Sequence, residues 1–342
     1  MTTPIILNVQ ALGITPWPTL DPYLFCVHHQ DSYPRGNAHL GPDAALTGRN
    51  LGQDFAGKDG WNMYHGEAVP GFPAHPHRGF ETLTIVRKGL IDHSDSLGAT
   101  ARFGGGDVQW LTAGKGIVHS EMFPLVNTEA PNPSELFQIW LNLPAKSKMA
   151  EPHFTMLWNE DIPSRSVVDA AGRQTDIVCI AGTWAGASSL PPPPASWASE
   201  PGSDLGICTI KLAPYAEWTL PPASHAGTRR QLYFFAGLGL RIQGTAVHPK
   251  SVIEVRADLP CTLANGEAES EILVLQGRPI AEPVAQHGPF VMNTAAEIQQ
   301  AFADYRRTQF GGWPWGGPSG PTHPRGQPRF ARHADGRVQT PE

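Results

Sequence analysis

Two short stretches of this 342-residue chain have the residue types and spacing for metal chemistry: His75-Pro76-His77 and His119-Ser120-Glu121. Each puts ligand-type side chains at i and i+2. On a strand those positions share a face, so each pair can point at one interior point. Two such strands side by side would assemble three imidazoles and one carboxylate, Glu121. That donor set suits one mononuclear divalent transition metal, Fe(II) foremost, with Mn, Ni, Cu or Zn accepted by the same ligands. Four protein ligands leave one or two positions open on a five- or six-coordinate ion, as binding of substrate or dioxygen requires. The plainer alternative puts His75 and His77 on a surface loop and Glu121 at a solvated strand edge. The remaining histidines, among them His28, His29, His39, His65 and His93, read as surface or hydrogen-bonded core rather than ligands.

Both pairs need strands, and the flanking sequence supplies them. Residues 81–86 are rich in β-branched side chains and stop at Lys88-Gly89, which predicts strand then turn. Gly104-Gly105-Gly106-Asp107 precedes the strand-like 108–111, Ala113–Gly116 precedes 117–122, and the apolar run 135–143 is closed by Pro144. The second half repeats this texture at 206–212, 231–235, 239–242, 252–255 and 271–275. Between the halves lies a Pro-rich stretch, 189–203, that suits an exposed loop or linker. The expected division is 1–145, 146–290 and a C-terminal helix with an irregular tail over 291–342. Thr294 and Glu297 fit a capping box. Behind them Ile298, Ala301, Phe302 and Tyr305 form an apolar stripe at helical spacing.

Composition agrees. With 36 Gly and 34 Pro the chain turns too often for long helices, and an all-β protein is expected. The net charge of −6 argues against direct nucleic-acid binding. Four widely spaced cysteines, Cys26, Cys179, Cys208 and Cys261, provide no disulfide framework. Residues 1–10 lack a basic, then apolar, leader pattern, and no apolar run is long enough to span a bilayer. The expectation is a cytoplasmic protein without a membrane partner.

The segments PAHPHRGFETLTIV (73–86) and GGDVQWLTAGKGIVHSEM (105–122) resemble the pirin family of the cupin superfamily, as do LFQIWLNLP (136–144) and GPFVMNT (288–294). The resemblance covers roughly residues 20–310. It implies a bicupin: two antiparallel β-barrels (double-stranded β-helices), with one metal in the N-terminal barrel held by His75, His77, His119 and Glu121. Cupins in general take their carboxylate from the first motif, where Glu81 stands here. Strand parity puts 75, 77, 79 and 81 on one face, so Glu81 is a candidate to support the ligands. The second half has only Ser224-His225-Ala226 in place of the HPH motif and reads as a metal-free, structural barrel. Residues 28–62 and the tail after Phe310 exceed the family core. The family resemblance implies a quercetin 2,3-dioxygenase-like enzyme acting on a flavonol and O2, with Glu121 as the base. The competing expectation is a non-enzymatic, iron- or redox-responsive regulator that binds a protein partner. A cupin isomerase that needs no O2 is a third.

Overall fold

The computed structural model describes residues 4–342, so Met1–Thr3, where the first expected domain begins, lie outside it. Among the described residues the fold is mostly β with one α-helix, in keeping with the Gly and Pro content. By internal contacts the chain divides into two compact units, 1–26 with 161–281 and 27–160 with 282–342. This differs from the expected sequential division at both ends. Strand β1 (Ile6–Ala11) pairs with Ser251–Arg256 and so completes the unit built mainly from the second half. The helix and tail join the unit built from the first half.

In the unit 27–160 with 282–342, the strands are β2 (Tyr23–Tyr33, from Val27 onward), β3 (Gly71–His77), β4 (Phe80–Lys88), β5 (Leu90–Asp95) and β6 (Thr100–Gly104). They continue with β7 (Val108–Thr112), β8 (Ile117–Met122), β9 (Asn132–Asn142) and β10 (His153–Leu157). One sheet has the order β10-β7-β4-β9-β2; the other runs from the tail strands Val338–Gln339 and Phe330–Arg332 through β6, β5 and β8 to β3. Val86, Leu111, Leu136 and Phe154 of the first sheet pack with Ile91, Ala101, Phe103 and Ile117 of the second in one buried cluster. Alternation along each strand then fixes what else faces this interior. His93 and Asp95 follow Ile91, and His119 and Glu121 follow Ile117.

The unit 1–26 with 161–281 has a seven-stranded sheet from β1 to Ser164–Val168 and a four-stranded one. Ile177, Cys208, Leu232, Ile253 and Ile272 of the larger sheet pack on Leu220, Ile242 and Leu263 of the smaller in an apolar core. In each unit two antiparallel sheets face each other across one core, as the expected two-domain all-β fold requires. All four cysteines are buried and unbridged. No helix among the described residues is long and apolar enough to cross a membrane.

Helix α1 (Ala295–Thr308) has the capping box its sequence predicts: Thr294 Oγ1 accepts from Glu297 N, and Glu297 accepts from Thr294 N. Ile298 and Ala301 are buried, and Phe302 and Tyr305 pack against the same cluster around Phe290. The tail is not irregular throughout. Phe330–Arg332 pairs antiparallel with β6, in register Ala331 to Ala101. Residues 315–325 cross the outer face of the same sheet. Ser120 Oγ donates to the Ser319 carbonyl at 2.9 Å, and Trp315 Nε1 donates to the Asp95 carbonyl at 2.9 Å. Arg102, fully buried, forks onto Asp92 at 2.6 and 2.7 Å and also donates to the carbonyls of His323 and Pro324.

Candidate metal centre

β3 and β8 are antiparallel neighbours, with His75 directly across from His119. Their inward alternation brings His75, His77 and His119 together, so that one ligand-type atom from each lies within 4.8 Å of the others. The rings stand 4.5 Å (His75–His119), 4.8 Å (His75–His77) and 4.9 Å (His77–His119) apart between centroids. This is the convergence of the three histidines expected from the two i, i+2 motifs, on strands rather than on a surface loop.

The ring chemistry fits a transition metal. His75 Nδ1 lies 2.8 Å from the Pro73 carbonyl, a contact that requires the proton on Nδ1 and leaves the Nε2 lone pair free. His119 is fully buried and neither ring nitrogen has a hydrogen-bond partner. A buried imidazole with both nitrogens unmatched is costly unless a ligand satisfies it. Burial, reinforced by the neighbouring imidazoles, holds His77 and His119 well below the usual histidine range. Burial also lowers His75 to about 4, against the opposing Pro73 hydrogen bond. All three are therefore neutral, as metal ligation requires.

Glu121 faces the same interior and is buried, but its carboxylate is not part of the three-imidazole group. Its Oε1 instead accepts from Thr84 Oγ1 at 2.9 Å across the sandwich. Burial raises its pKa, partly offset by Thr84 and His93. Thr84 is also 2.9 Å from Gln138 Oε1. On the facing sheet Phe80 and Trp140 pack on His77, at 5.1 and 5.4 Å between centroids. His75, Gln138 and Trp140 are half-buried, so the site reaches solvent on their side.

Glu81 is not at the site. Strand parity from 75 to 81 holds only along one continuous strand, and the chain turns between β3 and β4 at Gly79, which has φ +84°. Phe80 and Thr82 then face the interior and Glu81 the opposite side, where Thr112 Oγ1 donates to it at 2.7 Å. In its place the structure adds His93, which reads as isolated in the sequence. It lies across β5 and β8 from Glu121, with its ring 5.6 Å from that of His119. The only sequence signal was its i, i+2 partner Asp95. The 28–62 segment folds into the same unit: Tyr33 and Trp61 enter the core. Tyr64, just beyond it, stacks on Phe72 at 5.1 Å, and Phe72 in turn contacts His75.

Comparison with known proteins agrees with this geometry. The family described as Pirin matches residues 47–141, and the Pirin C-terminal cupin domain matches residues 207–311. Pirin-1 of Arabidopsis thaliana is 36% identical over 252 residues, covering 70% of this chain and 78% of its own length. Pirin of Homo sapiens is 33% identical over 256 residues, covering 73% and 81%. The crystal structure of quercetin 2,3-dioxygenase from Acinetobacter baumannii is 27% identical, with a TM-score of 0.70 over 90% of this chain and 98% of that one.

Proposed function

The chain belongs to the pirin family, and from that premise we propose that it is a metal-dependent dioxygenase that opens a flavonol such as quercetin with O2. The observation that carries this reading is the group His75, His77 and His119, the last two buried, with both nitrogens of His119 unpartnered. These three residues would hold the metal, with Glu121 as the fourth donor. Fe(II) heads the ions this set accepts, with Mn, Ni, Cu or Zn also suited to it. Bound there, the metal would supply Lewis acidity toward the substrate's hydroxyl oxygen.

The chain's own residues do the rest. Glu121, its basicity raised by burial, takes the proton of the flavonol 3-hydroxyl. Thr84 orients that carboxylate through its 2.9 Å hydrogen bond. Phe80 and Trp140, 4.3 Å apart between centroids and tilted by 36°, offer aromatic surface beside His77 for a ring system to pack on. The enclosing sheets bury His77 and His119 and leave the site open on the side of His75, Gln138 and Trp140.

The test is O2 consumption with a flavonol, with metal content measured on the same samples. Glu121→Gln keeps a neutral oxygen of the same size and removes the base, so turnover at matched metal occupancy should fall by about 10²–10⁴-fold. His119→Ala should lose metal and turnover together. Full metal with undiminished turnover in Glu121→Gln would remove the base role. No turnover of any flavonol by metal-loaded protein would favour the regulatory reading.

A further inference from the structure

Gln109 is a buried polar residue that the reaction proposed for the site does not use. It lies on β7 and is only 1% exposed. Neither its amide nitrogen nor its amide oxygen has a hydrogen-bond partner among the described residues. Its direction follows from the strands around it. Leu111, two residues along β7, packs in the interior cluster, so Gln109 faces the same interior. Across the β4–β7 pair it stands directly opposite Thr84, and across the β10–β7 pair opposite Met156, a member of that cluster. The Thr84 hydroxyl lies 2.9 Å from both Glu121 and Gln138. Gln138 is in turn paired with Thr84 across β9 and β4. Side chains directly opposite in a sheet stand about 5 Å apart at Cβ. Gln138, Thr84 and Gln109 therefore make one polar row across three strands, on the wall that meets Glu121. The row is graded. Gln138 is half-buried where the site reaches solvent, and Gln109 is closed off at the other end.

A carboxamide is uncharged and offers an N–H donor and a carbonyl acceptor side by side. Burying one with both ends unmatched is unfavourable, and folds satisfy such groups as a rule. The neighbours of Gln109 do not satisfy it: Thr84 is engaged with Glu121 and Gln138, and Met156 has only a thioether, a weak acceptor. A ligand that enters past Gln138 and sets its reacting oxygen beside Glu121 extends its far end toward Gln109. Matching both ends of the amide takes an acceptor and a donor on neighbouring atoms. Two adjacent hydroxyls on an aromatic ring supply them, one accepting from the amide N–H and the other donating to the amide oxygen. Resting on the flavonol reading of the site, we propose that Gln109 is a specificity-determining residue that hydrogen-bonds a pair of adjacent hydroxyls on the ring remote from the reacting oxygen. The substrate class narrows to flavonols that carry a catechol ring. The proton that Glu121 takes belongs to a different hydroxyl.

Three flavonols and one variant test this. Quercetin has the catechol ring, galangin lacks both of its hydroxyls, and morin has two hydroxyls on that ring that are not adjacent. Each is titrated anaerobically into full-length, zinc-loaded protein. The unmodified protein should bind quercetin at least about tenfold tighter than galangin or morin, because a site with buried polar groups rejects a ligand that leaves them unmatched. Gln109→Met keeps the length of the side chain and removes both polar ends. In that variant the ratio of quercetin to galangin affinity should fall below about twofold. Urea denaturation of the ligand-free proteins should show a higher midpoint for Gln109→Met, since the unmatched amide is gone.

Equal binding of quercetin and galangin by the unmodified protein overturns the inference, and that comparison does not depend on the variant. So does a quercetin preference that survives in Gln109→Met. Morin bound as tightly as quercetin overturns the requirement for adjacent hydroxyls. A lower urea midpoint in Gln109→Met means that the fold itself satisfies the amide, and also overturns it. If none of the three flavonols binds, the flavonol reading fails and this inference fails with it, whereas binding without discrimination removes the inference alone.

Discussion

Without metal, the three clustered imidazoles should make the protein acid-sensitive, and one substitution isolates the effect. Burial, with like-charged neighbours adding to it, holds His77 and His119 well below 6.5, and it lowers His75 to about 4. In the unfolded chain each titrates near 6.5, so below that pH the unfolded state binds protons that the folded state refuses. Stability is therefore lost as pH falls from about 6.5 toward the folded values. From pH 7 to pH 5 each histidine contributes a loss of about 1.9 kcal/mol, and the three together about 6 kcal/mol. That is comparable to the whole stability of a typical domain, about 5–15 kcal/mol. His119→Gln removes one titrating group from a fully buried position while keeping a polar side chain of similar size. Between pH 7 and pH 5 the variant should lose about 2 kcal/mol less than the unmodified protein. Urea denaturation in the presence of a chelator, followed by tryptophan fluorescence at pH 7, 6 and 5, measures the difference. Equal losses in the two proteins would refute the reasoning, because His119 would then carry its proton in the folded state as readily as in the unfolded one.

Other substitutions test the elements around the site. Arg102→Met leaves the buried Asp92 carboxylate without its guanidinium and should destabilise the protein by about 3–5 kcal/mol in urea denaturation. Because Arg102 also holds the carbonyls of His323 and Pro324, trypsin should cut faster after Arg325 and Arg329 in that variant. Gly116 has φ +132°, and a Cβ there would lie 2.6 Å from the Phe310 ring. Gly116→Ala should therefore reduce stability by about 2–5 kcal/mol, measured in the same way, through backbone strain and overpacking at the start of β8.

The legible parts of the sequence were those set by local periodicity. The run 117–122 is a strand with those bounds, the three histidines of the two motifs converge as alternation requires, and Thr294 with Glu297 caps the helix. What failed depended on where a strand stops or on a distant partner. Glu81 was assigned a face by counting through Gly79, where the chain reverses and parity restarts. His93 looked isolated because Glu121 and His119 approach it only across the β5–β8 pairing, a contact between strands that are not consecutive in sequence. The tail's Pro and Gly content concealed the strand Phe330–Arg332, whose pairing is dictated by the edge of β6 rather than by its own propensity.

That last strand has a consequence for synthesis of the chain. The sheet holding His119 gains its edge partner only when Phe330–Arg332 has been made, 330 − 119 = 211 residues later. At about 5–20 residues per second, the histidines leave the ribosome roughly 10–40 s before the edge of their sheet is covered. The other unit has the converse timing: β1 is made first and waits for Ser251–Arg256. One unit is thus complete only at residue 281 and the other only after residue 330, and a nascent chain stalled before residue 330 leaves the sheet of the clustered imidazoles with an open edge at β6. Such a chain would be exposed at once to adventitious metal and to pairing with other strands, so the final residues are as much a part of site assembly as the histidines themselves.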